Sequence, residues 1–329
     1  MPITPSDIKW YRSATVADTA ANGGRMGNAQ SPSGIKNNIF PDVTLAERNA
    51  GTTRYRKMFI KVANAENIPL GNARVFLQLP TPGEDSVTFF PGTQRDTQAQ
   101  ITGGERLYGG GALESAASNG SQTIAVVTEG ASLNCIRADD TLRITDRVSV
   151  VGTGNEEFAE VESVVYSGDV AAVLLKAALM YSFPAGAVVS SVYNAGEVRA
   201  EVSALAVTSA AGALLDGLPP LGDSIGSVEQ DWTLSFTSAT AFTITGDTLG
   251  SIGSGNTTSG AAPINPVFPG RPYFTLPASA FSGVFAPGDR ITFTTSPAAV
   301  PVWYRQLVPA GAAAISGNQV VLGVDGESA

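Results

Sequence analysis

The segment Asp231-Trp232-Thr233-Leu234-Ser235-Phe236 alternates polar and apolar side chains, and Ala241-Phe242-Thr243-Ile244-Thr245 repeats this alternation shortly afterwards. A period of two residues is typical of a β-strand with one buried and one exposed face. Comparable short segments recur along the chain, whereas helical periodicity is weak throughout. The sequence therefore predicts an all-β protein built from immunoglobulin-like or other β-sandwich domains.

Strand-like segments extend from this stretch in both directions, within residues 54–115 and 196–329. They include residues 55–62, 72–79, 86–90, 273–276, 290–294 and 301–305. We predict that the two ranges together form the main β-sandwich body. Residues 246–262 are rich in Gly, Ser, Thr and Asn, so we expect a long exposed loop that serves as a contact surface.

Residues 116–195 are predicted to form a separate small β domain. The glycine-rich stretch 103–121 is interpreted as a hinge in front of it. The predicted strands are residues 123–128, 141–145, 147–151, 159–165, 171–175 and 187–193. Many short strands at regular spacing indicate a small barrel or sandwich. Because both flanks are also β, we expect this domain to be inserted into the body; three domains in a row are the alternative.

Residues 1–53 are predicted to form an extended arm with one short helix. Gly, Ser and Pro interrupt residues 1–41, while aromatic side chains make the segment adhesive. We expect the arm to become ordered on another surface; a disordered tail is the alternative. Thr44-Leu45-Ala46-Glu47 fits the capping box that begins a helix, and Gly51 would end it.

The charge of the chain is low and unevenly distributed. Charged residues make up 15% of the sequence and the net charge is −9. Residues 1–61 nevertheless carry nine basic and four acidic residues, and the remainder is strongly acidic. This asymmetry predicts a complementary contact, either within the subunit or between copies. The overall negative charge argues against a dedicated nucleic-acid-binding protein.

The chain has no histidine and a single cysteine, Cys135. Histidine-dependent catalytic triads, histidine zinc sites and thiolate metal clusters are therefore excluded, as is an internal disulfide. We expect Cys135 to be a buried, inert thiol. The triplet Gly109-Gly110-Gly111 lacks the Lys and Ser/Thr of a phosphate-binding loop, and no cofactor is predicted.

Acidic side chains are the remaining candidates for chemistry. Those considered for a glycosidase or a calcium site are Glu156, Glu157, Glu160, Glu162, Asp139, Asp140 and Asp146. Glu160 and Glu162 alternate with apolar neighbours, which predicts the exposed face of a strand. The aspartates lack the ligand spacing of a calcium loop. We therefore predict neither a catalytic nor a metal site.

Six residues are candidate contacts with other subunits: Trp10, Tyr11, Arg48, Arg54, Arg56 and Lys57. The basic cluster at residues 54–61 could also contact DNA or lipid headgroups, although a subunit contact or an ordinary solvated strand is favoured. Trp232 and Trp303 lie within strand-like runs, so they are predicted to pack in cores and not to stack on sugars.

Membrane insertion and secretion are not expected. No run approaches the ~18 apolar residues of a membrane-spanning helix. The start, Met1-Pro2-Ile3-Thr4-Pro5, lacks the charged and apolar regions of a signal peptide. A protein that is made and used without crossing a membrane is predicted.

Two groups of segments resemble structural proteins of tailed bacteriophages. The first group is Phe40-Pro41-Asp42-Val43-Thr44, Ala50-Gly51, Tyr55-Arg56-Lys57-Met58-Phe59 and Asn72-Ala73-Arg74-Val75. The second is Pro263-Ile264-Asn265-Pro266, Pro272-Tyr273-Phe274, Gly288-Asp289-Arg290-Ile291-Thr292-Phe293, Val302-Trp303-Tyr304-Arg305 and Val308-Pro309-Ala310-Gly311-Ala312. Together these stretches touch about half of the chain, and residues 122–194 have no counterpart.

The resemblance implies a non-enzymatic virion protein, in the tail or baseplate first and at the neck or head surface second. Its partners would be other virion proteins and copies of itself in a ring or shell. Two other hypotheses stay open: a receptor- or glycan-binding protein with a solvent-facing aromatic groove, and a polysaccharide-degrading enzyme with two facing carboxylates. If the arm drives assembly, removing residues 2–41 should leave a folded body.

Overall fold

A computed structural model of the chain describes residues 2–128, 134–147 and 152–328. Strands account for 50% of the residues and helix for 5%, so the predicted all-β class is confirmed. The strands form three modules. We name them the body (residues 2–109, 193–198 and 299–328), the barrel (110–192) and the C-terminal sandwich (201–296).

The first strands of the body precede and follow the helix α1. In chain order the elements are β1 (Ile8–Thr15), β2 (Gly23–Gln30), α1 (Leu45–Ala50), β3 (Thr52–Val62), β4 (Leu70–Leu79), β5 (Ser86–Pro91), β6 (Gly110–Leu113), β7 (Thr123–Thr128), β8 (Thr141–Thr145), β9 (Glu156–Ser167), β10 (Val170–Leu175), β11 (Val188–Val198), β12 (Glu201–Thr208), β13 (Gly212–Leu214), β14 (Leu221–Gly222), β15 (Gln230–Phe236), β16 (Ala241–Gly246), β17 (Gly250–Asn256), β18 (Phe274–Thr275), β19 (Phe281–Gly283), β20 (Arg290–Ser296), β21 (Ala299–Val308) and β22 (Val321–Ser328). Short 3-10 helices supplement them at Pro5–Asp7, Gln98–Gln100 and Ala278–Ala280.

The body packs two antiparallel sheets against each other. One has the strand order β2-β1-β3-β21-β5, and the other begins β22-β4-β11. β3 and β21 are central neighbours, paired in register from Thr52 and Val308 to Lys61 and Ala299. The alternation of β3 directs Met58 into the core between the two sheets, so strands from opposite ends of the chain share one core.

Six antiparallel strands close the barrel in the order β11-β6-β7-β10-β9-β8, with β8 pairing back to β11. The first half of β11 belongs to the barrel, and from Tyr193 onwards the same strand pairs with β4 of the body. One strand therefore joins the two modules. Gly111 permits the close approach of β6 to β7, because a Cβ there would lie 2.2 Å from the carbonyl oxygen of Val127.

The C-terminal sandwich contains a sheet of order β12-β20-β15-β16-β17 and two small sheets, β13–β19 and β14–β18. As its alternation predicts, β15 directs Trp232, Leu234 and Phe236 into an aromatic core. The sequence predicts that residues 196–329 form one body with residues 54–115. Only β11, β21 and β22 of that range pair with body strands, because β12 to β20 find their partners among themselves.

Residues 1–41 are not the irregular arm that the sequence predicts. β1 and β2 form an antiparallel hairpin, and β1 also pairs with β3. The hairpin register shifts twice, and Gly23 and Gly24 adopt φ values of 101° and 78° at its turn. Glycine thus permits bulges and a turn here instead of ending regular structure. The predicted helix is confirmed: α1 begins after the capping box of Thr44 and Glu47, with Gly51 at its C-cap.

Two stretches predicted as a hinge and a loop contain strands. β6 lies within residues 103–121, and β17 lies within residues 246–262 at the edge of its sheet. Both consist largely of small residues without a clear alternation of apolar side chains. The sequence pattern therefore does not predict them as strands. The bounds predicted for β7 and β8 are confirmed. Of the strand predicted at residues 147–151, residues 148–151 lie outside the described part of the chain.

Candidate functional site

The predicted subunit contacts lie mainly inside the chain. Four of the six side chains are buried, namely Tyr11, Arg54, Arg56 and Lys57. The other two, Trp10 and Arg48, are partly buried. The four buried side chains are therefore not available to a neighbouring subunit. The alternative of an ordinary solvated strand is also wrong for β3, since both of its faces are covered.

Arg54 holds α1 against the body. Its guanidinium pairs with Glu47 and donates to the carbonyl oxygen of Pro41 at 2.8 Å. The hydrogen bond from Arg54, with further hydrogen bonds from Thr44, lowers the pKa of Glu47 to about 2. Arg48, in the last turn of the helix, donates to the carbonyl oxygen of Ala312 at 3.4 Å. These two arginines thus tie α1 to β3 and to the segment that follows β21.

Arg56 and Lys57 fix the β1–β2 hairpin and its neighbouring loop. Arg56 Nη1 donates to Asp18 Oδ1 at 2.6 Å, and this hydrogen bond lowers the pKa of Asp18. Lys57 Nζ lies 2.6 Å from Asp96 Oδ1 and donates to the carbonyl oxygen of Gly24 at 2.7 Å. Burial lowers the pKa of Lys57, while the hydrogen bond to Asp96 acts in the opposite direction. Both cations are engaged within the subunit.

Lys61 lies between the body and the C-terminal sandwich; it belongs to the predicted basic cluster but is not among the six candidate subunit contacts. Its side chain is fully buried, and Nζ donates to the carbonyl oxygen of Ile225 at 2.5 Å. The ring centroids of Phe268 and Tyr11 lie 4.4 Å and 5.8 Å from Nζ. Desolvation lowers the pKa of Lys61 to about 8. Phe59 shares this face of β3 with Lys57 and Lys61, whose charges indicate exposure, so the sequence of β3 carries no clear signal that the face is buried.

Replacing Lys61 with methionine is expected to stabilise the protein. Asp223 raises and Lys9 lowers the pKa of Lys61, but desolvation dominates and leaves the folded value of about 8 below the ordinary 10.5. The unfolded state therefore binds more protons between these values, so stability rises with pH across this range. At pH 7 the cost of burying the charge is present in full, at about 3 kcal/mol from the pKa difference.

The lost hydrogen bond to Ile225 offsets part of that gain, so we expect the Lys61→Met variant to be more stable by about 1–2 kcal/mol at pH 7. Urea unfolding measured from pH 7 to pH 10.5 should show the advantage shrinking as pH rises. Lys36→Met is the control, because the Lys36 side chain is 79% exposed. A destabilised Lys61 variant at pH 7, or a pH-independent difference, would contradict the interpretation.

The candidate carboxylates do not converge on a common site. Three of them pair with separate bases, as Glu156–Arg143, Asp140–Arg106 and Asp139–Lys176. Glu160 and Glu162 are exposed on β9, as predicted. Within the described ranges, no group of three or more His, Cys, Asp or Glu side chains is placed to hold a metal ion. Arg143 and Lys176 join neighbouring segments of the barrel, with Lys176 also 3.4 Å from Glu160, and Arg106 ties the barrel to the segment before it. This is a structural use of charge.

The predicted burial of two tryptophans and the cysteine is confirmed. Trp232 and Trp303 are 1% and 0% exposed, and Cys135 is 1% exposed. Trp232 packs in the core of the C-terminal sandwich, and Trp303 packs beside Phe90 in the body. Neither indole is available to stack on a sugar.

Apolar side chains fill the interior of the barrel. The buried cluster comprises Leu113, Ala117, Ile124, Val126, Ile136, Leu142, Ile144, Val161, Ala171, Val173, Leu175, Leu179, Phe183, Ala187 and Val189. An eight-stranded barrel can enclose a small ligand, whereas six strands leave an interior that side chains occupy. A partner of this module would therefore bind its outer surface.

One outer face of the barrel is largely apolar, although Glu160 and Glu162 are exposed farther along β9. We call it the β7–β10–β9 face; its outward positions are Thr123, Ala125, Val127, Ser163, Val165, Ser167, Val170, Ala172 and Leu174. Val127, Val165 and Leu174 are 41%, 70% and 36% exposed. Strand register sets Val127 beside Val170, and Val165 beside Ala172, so the apolar side chains are contiguous. Contiguous exposed apolar surface marks a contact site more often than single exposed residues do.

No family model matches the chain, and neither a curated protein nor a solved structure matches it. Among the described residues, no helix is both long enough and apolar enough to span a membrane. The geometry of the chain itself is thus what indicates its function.

Proposed function

We propose that the protein is a non-enzymatic structural component of a tailed-bacteriophage particle, located in the tail or baseplate. It would bind other virion proteins and copies of itself, without a cofactor, nucleic acid or membrane as partner. The observation that carries this proposal is the β7–β10–β9 face, an exposed and largely apolar surface on a module whose interior is already filled.

The size of this face favours an assembly with many copies. Three strands about 4.8 Å apart and about five residues long span on the order of 250 Å². Each partner in a stable two-body complex buries roughly 800 Å². A contact through this face alone would be weak, but repeated contacts in a ring or shell strengthen one another.

The segments that resemble phage structural proteins also support the proposal. Tyr55-Arg56-Lys57-Met58-Phe59 lies in β3 and Val302-Trp303-Tyr304-Arg305 lies in β21, which are direct neighbours in the body. Stretches from opposite ends of the chain thus belong to one structural unit. The barrel, which carries the apolar face, is inserted into that unit.

Imaging of purified particles tests the proposed location. A label on the C-terminus, examined by electron microscopy, should appear at the distal tail in a symmetric arrangement. Label over the head or neck would replace the tail assignment with decoration or connection. Absence of the chain from particles, or binding of the isolated protein to host glycans, would contradict the structural role.

A charge on the apolar face is expected to block assembly without affecting the fold. Val165→Asp changes a side chain that is 70% exposed, so the melting temperature should stay within a few degrees of the wild-type value. Burying an unpaired carboxylate in a contact costs more than ~1.4 kcal/mol, so incorporation into particles should fall at least ~10-fold. Val284→Asp is the matched control, at 65% exposure in the C-terminal sandwich. Wild-type incorporation of Val165→Asp would exclude this face as the contact.

A further inference from the structure

The C-terminal sandwich is connected to the body by two short segments that lie side by side. Residues 199–200 join β11 to β12, and residues 297–298 join β20 to β21. Glu201 and Ser296, the first and last residues of the sandwich, are register partners on adjacent strands. Two adjacent connections define a single axis about which a module can rotate.

Packing is incomplete beside this axis. A cavity of about 210 Å³ is lined by residues from both connections and by Gln94 of the body. Gln94 Nε2 donates to the carbonyl oxygen of Ala299 at 2.9 Å. Its Oε1 is buried and has no hydrogen-bond partner within the described part of the chain. The cavity is open to solvent on one side, and this space leaves room for the module to move.

Two arginines of the body hold three carboxylates of the sandwich. Arg95 donates two hydrogen bonds to Asp231, at 2.6 Å and 2.7 Å, and one to Glu229 at 2.6 Å. Arg25, at the turn of the β1–β2 hairpin, lies 2.5 Å from Asp247 Oδ2. The hydrogen bond from Arg95 lowers the pKa of Asp231 to about 2. These ion pairs lie near β15 and at the turn after β16, and β20 separates these strands from β12 in the sheet. Because β12 follows one of the two connections, contacts on the other side of β20 oppose rotation.

The buried charge of Lys61 destabilises the arrangement that these ion pairs stabilise. Its ammonium contacts a carbonyl oxygen and two aromatic rings, and among the described residues no carboxylate forms an ion pair with it. Rotation of the sandwich would return water to this charge, which favours opening. Arg271 adds a further tie, donating to the carbonyl oxygen of Ala65 at 2.8 Å. The surface ion pairs and the packing of Phe268 against Tyr11 thus favour the closed arrangement, and the desolvated lysine opposes it.

We propose that Arg25 and Arg95 form an electrostatic latch, whose release lets the C-terminal sandwich rotate about residues 199–200 and 297–298. The Arg95 and Asp231 side chains are 40% and 48% exposed, so dissolved ions reach them. At about 1 M salt, charges are screened beyond roughly 3 Å, which weakens such pairs. The latch is a property of the fold and does not depend on the proposed function.

Distance measurements between the two modules test the latch. Cysteines at Leu45 in the body and Val284 in the sandwich, 62% and 65% exposed, accept spin labels while the buried Cys135 does not. At low salt, pulsed electron paramagnetic resonance should give one narrow distance distribution for the otherwise wild-type protein. At about 1 M salt the distribution should broaden or shift.

The variant Arg25→Ala/Arg95→Ala should give the high-salt distribution already at low salt. Arg74→Ala is the matched control, because Arg74 pairs with Asp325 of the body at 3.9 Å and forms no ion pair with the described residues of the sandwich. Circular dichroism shows whether each variant is folded. Should the double arginine variant not fold, Glu229→Gln/Asp231→Asn/Asp247→Asn removes the same ion pairs with smaller changes of shape. A folded latch variant with the wild-type low-salt distribution overturns the proposal.

Discussion

Deletion of residues 2–30 is expected to unfold the body, and not merely to prevent assembly. β1 pairs with β3 over Ile8 to Arg12, and Ile8 and Trp10 pack against the body core. Removal would expose one edge of β3 and the apolar side chains beneath it, and Arg56 would lose its ion pair with Asp18. A buried arginine without its partner costs several kcal/mol, comparable with the whole stability of a domain.

Thermal unfolding followed by circular dichroism measures this effect. We expect the cooperative transition of the body to disappear in the deletion variant. Replacing residues 33–37 with a Gly/Ser linker of equal length is the control, because these residues are exposed between β2 and α1. A deletion variant that melts like the full chain would restore the hypothesis of an arm that only docks on neighbours.

Trp303→Ala is expected to destabilise the body by about 4–5 kcal/mol. Trp303 is fully buried, stacks on Phe90 at a ring-centroid distance of 6.4 Å, and donates from Nε1 to Asp96 Oδ2 at 2.7 Å. Truncating a buried tryptophan costs roughly 3–5 kcal/mol in packing alone. The upper part of that range is expected because Asp96, the partner of buried Lys57, also loses a hydrogen-bond donor.

Urea unfolding monitored by far-ultraviolet circular dichroism gives the change in the free energy of unfolding. Trp303→Phe should cost only about 1–2 kcal/mol, because the ring is kept and the hydrogen bond to Asp96 is lost. Equal effects of the two substitutions would show that the hydrogen bond, and not the packing, is the main contribution. A loss below about 2 kcal/mol for Trp303→Ala would contradict the packing argument.

The sequence predicted the elements whose bounds are set by neighbouring residues. The alternation and flanking turns of β7 and β8 gave their bounds, and the capping box of Thr44 and Glu47 gave α1. β2 and β17 were missed because glycine-rich strands carry little periodic signal, and their partners supply the order that their sequences lack. β1 has no glycine, but the glycine-rich stretches that follow it predict an irregular segment. Assigning β12 to β20 to a module of their own requires knowing which strands pair. A short stretch of sequence does not carry this information.

The buried cations show the same limit for the candidate site. Lys57, Phe59 and Lys61 alternate on one face of β3, and the lysines suggested that this face is exposed. The structure covers the face with the β1–β2 hairpin, the loop that contains Asp96 and the C-terminal sandwich. Such a cover is formed by distant segments, so the sequence of β3 alone could not reveal it. The largely apolar β7–β10–β9 face was likewise visible only after the strand register was known.

The pairing of β3 with β21 has a consequence for biosynthesis. β21 emerges from the ribosome after both inserted modules, so the central pair of the body sheet cannot form until nearly the whole chain is translated. The barrel contains six strands that are contiguous in sequence, and it can close around its own core much earlier. Until β21 is translated, the N-terminal strands lack this partner, and Phe59 and Val62 stay uncovered. Two folded modules then separate these strands from β21 along the chain. Translation speed and chaperone access would therefore influence the yield of folded body more than the yield of folded barrel.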